Sequence, residues 1–415
     1  RMNRFLILPA LLLSGAALAN EVATLLPAEA VERAVEDHPL VQASIARSDA
    51  ARGAARGQRA GPYEFTVSGS YARRRIDREG EFSEYDVTLE RGFRLPGKAA
   101  LDRRAGEFGV AAADYRIAGA RHSAVQLLND IWWDWLAAGA EIKANEAAVA
   151  NLTADLTSVE RRVALQDAAP VDADRARSAL ATARVALDQS RSRAQIARSR
   201  LEVQFPSLPL PAEVPELPDP VMPPVMLDIL RDQALAQDHG LAAAKAEADR
   251  QTILAERARR DRIPDPTLGL RLFSERGGAE RGIGVVASIP IGGAGRSASA
   301  DQADAEARAA TAEFAAARFT AEEAAATDFA QAINSWSAWQ RSLDARTSSE
   351  MAAYRLRQGY RLGGVDLADL LYAERQAQDA LKAETAARAE ASRAISRLRI
   401  NAHDLWAAGH DGVGR

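Results

Sequence analysis

Apolar side chains recur along this chain with two periods. Four short runs alternate apolar and polar residues with period two, and long Ala-rich tracts with helical spacing surround them. In the first pair of runs, Phe65, Val67, Gly69 and Tyr71 alternate with Glu64, Thr66, Ser68 and Ser70. After a charged stretch at 73–81, Tyr85, Val87 and Leu89 alternate with Asp86, Thr88 and Glu90. In the second pair, Leu268, Leu270 and Leu272 share one face, and beyond a Gly-rich tip so do Ile283, Val285, Ala287 and Ile289. Alternation on both sides of a polar turn predicts β-hairpins over 62–96 and 264–292. Each run is about ten residues, the length of a tilted strand that crosses a bilayer. The apolar set is therefore predicted to face lipid, with Phe93 and Phe273 in the same band or an aromatic girdle. Closed barrels start at about eight strands, and an apolar edge left open in lipid is costly. Membrane-spanning strands in this chain require several copies to share one barrel.

Helical spacing fills the rest. Residues 26–61 and 225–261 read as single helices leading into the hairpins. A proline-free tract follows each hairpin, to about residue 166 and about residue 358, and seventy helical residues make a rod of about 100 Å. Val125, Leu128, Trp132 and Trp135 lie on one stripe, which predicts packing against neighbouring helices, and Trp133, Trp336 and Trp339 are read as core as well. Reversals at 167–171 and 362–365 lead into returning helices at 172–205 and 366–403. Between the halves, prolines crowd residues 206–224 into an extended linker. Local matches support two repeats, 20–205 and 225–403. Asp37-His38-Pro39-Leu40 matches Asp238-His239-Gly240-Leu241, and Trp132 and Trp135 match Trp336 and Trp339. Further on, Pro170-Val171-Asp172 matches Gly364-Val365-Asp366, and Ser199-Arg200-Leu201 matches Ser396-Arg397-Leu398. Residues 404–415 form a Gly-containing tail, predicted to be disordered.

The N-terminus changes the picture. Arg1 and Arg4, the apolar run 5–13 and Ala17-Leu18-Ala19 predict a secretory signal peptide over 1–19. No later stretch is long and apolar enough for a transmembrane helix. A net charge of -4 with interspersed signs shows no basic stripe for nucleic acid. The chain has no cysteine, so it carries no lipid-modified N-terminal Cys and no Cys-based metal site. Its 5 histidines are scattered, and neither HExxH, GxSxG nor a P-loop occurs. The sequence points to no enzyme, no cofactor and no tight metal site.

The twice-repeated order of helix, hairpin, long helix and returning helix resembles the TolC family of outer-membrane efflux channels, over nearly the whole chain after the leader. Ile289-Pro290-Ile291-Gly292-Gly293-Ala294-Gly295-Arg296 looks like the family's strand-to-helix junction. Tyr360-Arg361-Leu362-Gly363-Gly364-Val365-Asp366-Leu367-Ala368-Asp369-Leu370-Leu371-Tyr372-Ala373-Glu374-Arg375 looks like its second reversal. Ile263-Pro264-Asp265-Pro266-Thr267-Leu268-Gly269, followed by Ser288-Ile289-Pro290, is similar to the CzcC-like heavy-metal efflux branch. The resemblance implies a mainly α protein with membrane β-hairpins that forms a homotrimer. Four strands per chain would close a β-barrel in the outer membrane of a Gram-negative bacterium, continued by a long periplasmic α-barrel. It implies a periplasmic adaptor (membrane fusion) protein and an inner-membrane RND pump as partners. The chain would conduct cargo passively, with divalent heavy-metal cations as the expected class. A drug-efflux duct, a type I protein-secretion duct and a non-pore periplasmic coiled-coil scaffold remain alternatives, and the amphipathic hairpins speak against the scaffold.

The reversals hold the candidate functional residues. Asp366 and Asp369, at the start of the last helix, would form carboxylate rings in a trimer and gate the tunnel's narrow end. Asp366 also suits an N-cap, and Asp369 the helix dipole. The family pattern has a second acid where this chain has Tyr372, which implies steric narrowing there. Ala169, Pro170, Val171, Gly363 and Gly364 are the expected adaptor-docking tips, and they also suit tight turns. Asp172 and Asp174 are read as helix caps.

Overall fold

The computed structural model describes residues 25–406. The predicted signal peptide at 1–19 and the tail beyond Trp406 lie outside the described residues. In chain order the elements are α1 (Ala28–Glu36), α2 (Pro39–Ala60), β1 (Phe65–Ile76), β2 (Gly80–Gly92), α3 (Lys98–Ala164) and α4 (Pro170–Gln204). After the proline-rich segment come α5 (Leu227–Ala236), α6 (His239–Arg260), β3 (Thr267–Glu275), β4 (Glu280–Ser288), α7 (Ala294–Arg361) and α8 (Leu367–Asn401). The described residues are mainly helical with one small antiparallel sheet, the fold class their patterning predicts.

Two predicted helices are each two. The stretch 26–61 breaks between Glu36 and Pro39, and 225–261 breaks between Ala236 and His239. Proline lacks an N–H and keeps the preceding residue out of helical geometry, which ends α1 at the first break. At the second, Gly240 weakens the helix beside the break. Both breaks fall on the matched Asp-His strings, so those strings mark corners. The long helices run unbroken for 67 and 68 residues.

The described chain forms two compact units, each drawing on both halves of the sequence. One comprises residues 43–119 and 239–321 and contains the sheet. Its strands run in the order β1-β2-β3-β4, all antiparallel. Register places Val67 opposite Leu89, Leu89 opposite Leu270 and Leu270 opposite Val285. One face therefore carries Phe65, Val67, Tyr71, Tyr85, Val87, Leu89, Leu268, Leu270, Leu272, Ile283 and Val285, all of them exposed. The other face carries Thr66, Ser68, Ser70, Glu84, Asp86, Thr88, Glu90 and Arg271. Pairing runs further than the polar tips suggested: Arg73, Arg74, Arg75 and Glu81 lie within the strands, and only residues 77–79 turn the first hairpin.

Two apolar assignments need correction. Ile289 lies one residue past the end of β4, because Pro290 has no N–H to continue a ladder. Phe273 lies on the polar face, out of phase with Leu268, Leu270 and Leu272. It sits opposite Gly282, where its ring fills the place of the missing side chain: a Cβ there would lie 2.4 Å from the Phe273 ring.

The other unit comprises the residues up to 42, 120–238 and those from 322 onward. Trp132, Trp133 and Trp135 are buried, as the helical stripe predicts. Trp133 donates to Asn129 and to Ser396, each at 3.0 Å. Trp132 packs edge-on to Trp135, and the matched pair Trp336 and Trp339 also touch, with ring centroids 5.1 Å apart. The proline-rich segment is extended yet anchored: Leu208 and Leu217 are buried, and Arg198 donates to the carbonyls of Pro211 and Ala212.

Candidate functional site

The candidate geometry lies in two places, the strand–helix junction of the sheet unit and the helix reversals of the other unit. At the junction, Pro264 and Pro266 hold Asp265 extended between them. Its Oδ1 accepts from Lys98 Nζ at 2.8 Å and from the Leu95 N–H at 2.9 Å, and its Oδ2 accepts from the Tyr63 hydroxyl at 2.8 Å. Lys98 spends its other donors on the Ile263 carbonyl and on Asp261, both at 2.8 Å. The Lys98 and Asp265 side chains are each 2% exposed, so the pair is fully desolvated and fully partnered. Burial opposes ionisation of Asp265, but the bonds from Lys98, Leu95 and Tyr63 outweigh it and hold its carboxyl below the usual range. Burial and the bond to Asp265 push the Tyr63 hydroxyl up to about 12. Beside this cluster Asp102 bridges Arg94 at 2.8 Å and Arg257 at 2.7 Å. The network clamps the bases of both hairpins, because Lys98 follows the first and Asp265 precedes the second.

The reversals share one backbone design. Residues 165–169 join α3 to α4, and residues 362–366 join α7 to α8. In the first, the Asp167 N–H reaches the Arg162 carbonyl at 2.8 Å and the Gln166 N–H reaches Val163 at 3.0 Å. In the second, the Gly364 N–H reaches Gly359 at 2.9 Å and the Gly363 N–H reaches Tyr360 at 3.0 Å. These are paired Schellman closures, each with a left-handed residue, Gln166 at φ 62° and Gly363 at φ 76°. The equivalence corrects the sequence match: Pro170 corresponds to Leu367, not to Gly364. Asp172 then corresponds to Asp369, in the first turn of its helix.

Asp366 caps α8, its carboxylate accepting from the Asp369 N–H at 2.9 Å. The cap of α4 is Ala169, with no side-chain bond, and Pro170 follows it. Asp172 and Asp174 therefore do not cap α4; they pair with Arg175 at 3.4 Å and Arg177 at 2.8 Å. Asp366, Asp369 and Tyr372 are all exposed, and Gln376 donates to the Tyr372 hydroxyl at 3.0 Å. Ala169, Pro170, Val171, Gly363 and Gly364 are exposed at the tips. Leu165, which the sequence leaves inside the helical tract, and Leu362 lead the two reversals at 73% and 87% exposure. Behind the tips, Val159 and Ala173 of the first helix pair bury against Leu367 and Leu370 of the second.

Further back lies a second feature with no sequence signal. Arg357 donates to Glu374 at 2.6 Å, and Asp155 faces the same carboxyl. Asp155 Oδ2 and Glu374 Oε2 are buried without a donor. Burial raises both carboxyls above their ordinary range. Arg357 opposes this at both, while the Asp155 charge adds to it at Glu374. A proton shared between the two oxygens would satisfy both.

No protein-family model matches the sequence, and no curated protein matches it. Solved structures do. The outer membrane protein VceC from Vibrio cholerae is 18% identical with a TM-score of 0.74, covering 92% of this chain and 96% of its own. A membrane protein from Pseudomonas aeruginosa is 18% identical with a TM-score of 0.78, covering 100% of both chains. The open state of the Neisseria gonorrhoeae outer membrane channel MtrE is 16% identical with a TM-score of 0.73, covering 90% of this chain and 88% of its own. The likeness is one of fold over nearly the whole length.

Proposed function

We propose that this chain is one protomer of a trimeric outer-membrane channel, the exit duct of a tripartite efflux system. One observation carries the reading. A four-stranded sheet with one apolar and one polar face has both edge strands open, and it joins helices of 67 and 68 residues. An exposed apolar face of this extent belongs in lipid, and open edges in lipid belong against other copies. The fold shared with outer-membrane channels supports the same location, with the helices in the periplasm. Conduction is passive, and the energy comes from an inner-membrane pump joined through a periplasmic adaptor. Leu165 and Leu362, with the small residues beside them, are the adaptor's docking tips. Asp369 rings the narrow end with its counterpart Asp172, and Tyr372 narrows it. The resemblance at 263–269 and 288–290 makes divalent heavy-metal cations the proposed cargo, and a conduit for them needs no tight site.

The purified protein should run as a heat-labile trimer in mild detergent and form channels in planar bilayers. Asp369→Ala should raise single-channel conductance and lower cation preference. A stable monomer sinks the channel, and unchanged conductance sinks the gate. A deletion strain sensitive to zinc, cobalt or cadmium but not to drugs supports the cargo, and drug sensitivity alone overturns it.

A further inference from the structure

The charged residues at the hairpin tips are sorted by face. Continuing the alternation beyond the apolar band, Arg73 and Arg75 of β1 and Arg281 of β4 fall on the apolar face. Arg74, Glu84, Asp86, Glu275 and Glu280 fall on the polar face. The arginines begin where the apolar band ends. Tyr71 and Tyr85 sit opposite each other with ring centroids 5.3 Å apart, the kind of aromatic pair that marks a membrane–water interface. Arg281 pairs with Ser274, which pairs with Tyr85, so it stands at that level. Arg73 and Arg75 are the next two positions outward on their strand.

The arginines are also sorted by strand. β1 and β4 are the two edges of the sheet. At the same levels the central strands carry Glu81, Ser83 and Ser274 on this face. Arg73 reaches Glu81 at 3.3 Å, and Arg281 donates to the Gly278 carbonyl at 3.1 Å. That leaves three exposed guanidinium groups against one carboxylate. Closing the sheet with further copies sets β4 of one beside β1 of the next, which gathers Arg281 with its neighbour's arginines. Three like charges at one seam repel unless an anion lies between them. Guanidinium forks match phosphate oxygens in paired bonds.

We propose that Arg73, Arg75 and Arg281 bind the headgroup phosphates of outer-leaflet lipid across the seam between protomers, and that this lipid fastens the trimer. The proposal rests on the outer-membrane trimer reading. The occupant is a lipid because the site continues the lipid-facing band outward, at headgroup height. The lumen-side charges on the same strands are separated from it by the sheet.

The test compares trimers reconstituted in phosphatidylcholine nanodiscs with and without lipid A. The readout is the temperature at which the trimer falls to monomers on a gel. Lipid A should raise that midpoint by about 5 °C. Dephosphorylated lipid A and free inorganic phosphate should not raise it. The combined variant Arg73→Gln, Arg75→Gln, Arg281→Gln should lose the rise, whereas Arg74→Gln, on the opposite face, should keep it. Equal wild-type midpoints in both lipids overturn the proposal, and so does a rise that survives in the combined variant. Free phosphate acting as well as lipid A would overturn the lipid as occupant. A chain that stays monomeric in every lipid overturns the channel reading itself, so the two failures are distinct.

Discussion

The two helix reversals have the same backbone and opposite chemistry. Both are 165–169-type connections of equal length with a Schellman closure, a left-handed second residue and a leucine at the lead position. At equivalent positions one turn or more behind each tip, α3 and α4 carry Glu160 and Arg177, while α7 and α8 carry Arg357 and Glu374. The ion pair is preserved with its charges exchanged. Its surroundings differ. The Glu160–Arg177 side chains are 47% and 54% exposed, but those of Arg357 and Glu374 are 28% and 10% exposed, with Asp155 facing them. A shared scaffold therefore supports one solvated turn and one turn tied into its neighbour through buried charge.

The largest effect that tests this contrast is loss of the arginine. Arg357→Ala leaves two buried carboxyls facing each other and should cost about 2–3 kcal/mol of stability. Arg177→Ala removes a solvent-screened pair and should cost at most about 0.5 kcal/mol. Thermal midpoints in detergent measure both, and equal shifts would erase the distinction. Adding Asp155→Asn to Arg357→Ala should recover part of the loss, because an amide can donate to Glu374 where a second carboxylate repels it.

The same pair makes stability depend on pH. Both carboxyls lie above their ordinary range in the folded chain, so the folded state keeps a proton that the unfolded chain has released. The stability this supplies is complete below the ordinary carboxylate range and is lost as pH rises through the raised values. Asp261 and Asp265 have the opposite sign: burial opposes their charge, but the bonds from Arg257 and Lys98 win and lower both. Their contribution is present above the ordinary range and is lost on acidification. The difference between wild type and Asp155→Asn isolates the first effect. It should favour wild type just above the ordinary carboxylate range and shrink as pH rises through the raised values. A difference that does not change with pH would mean that no proton is shared.

Capping sharpens the contrast at a smaller scale. Asp366→Ala should cost about 1 kcal/mol, and Ala169→Asp should gain about 0.5 kcal/mol by supplying the bond that α4 lacks. Thermal midpoints again decide, and a neutral Asp366→Ala would show that the cap contributes nothing in its exposed setting.

How legible these features were depended on the range of the interaction. Alternation maps directly onto a sheet, so the apolar face from Phe65 to Val285 could be read from period alone. The same rule, followed strictly, excludes Phe273, because its parity is that of Arg271. The charged run at 73–81 predicts a turn, yet Arg73 to Arg75 continue the ladder, because exposed strand positions tolerate charge. The clamp between Lys98 and Asp265 joins residues 167 positions apart. Its only local trace was an aspartate held between two prolines. The face-off of Asp155 with Glu374 left no trace, because the two acids lie on separate helices far apart in sequence. Spelling and backbone set the two reversals three residues apart in register. The Val-Asp strings matched by spelling, whereas the anchors are Gln166 and Gly363, identified by backbone angle.

Those two residues give the finest test of the shared scaffold. Both take positive φ, a region that costs a residue with a Cβ about 1 kcal/mol and glycine almost nothing. An added Cβ at Gly363 would meet nothing within 4 Å, so Gly363→Ala should report the backbone cost alone, a loss of about 1 kcal/mol. Gln166 already bears that cost. Gln166→Gly should relieve it, but glycine also loosens the unfolded chain, and the net gain should be about 0.5 kcal/mol. Opposite signs at the two positions, read as thermal midpoints, are the expected outcome. If Gln166→Gly destabilises instead, the glutamine side chain is contributing at the first tip, and the two turns differ there as well as in their charge.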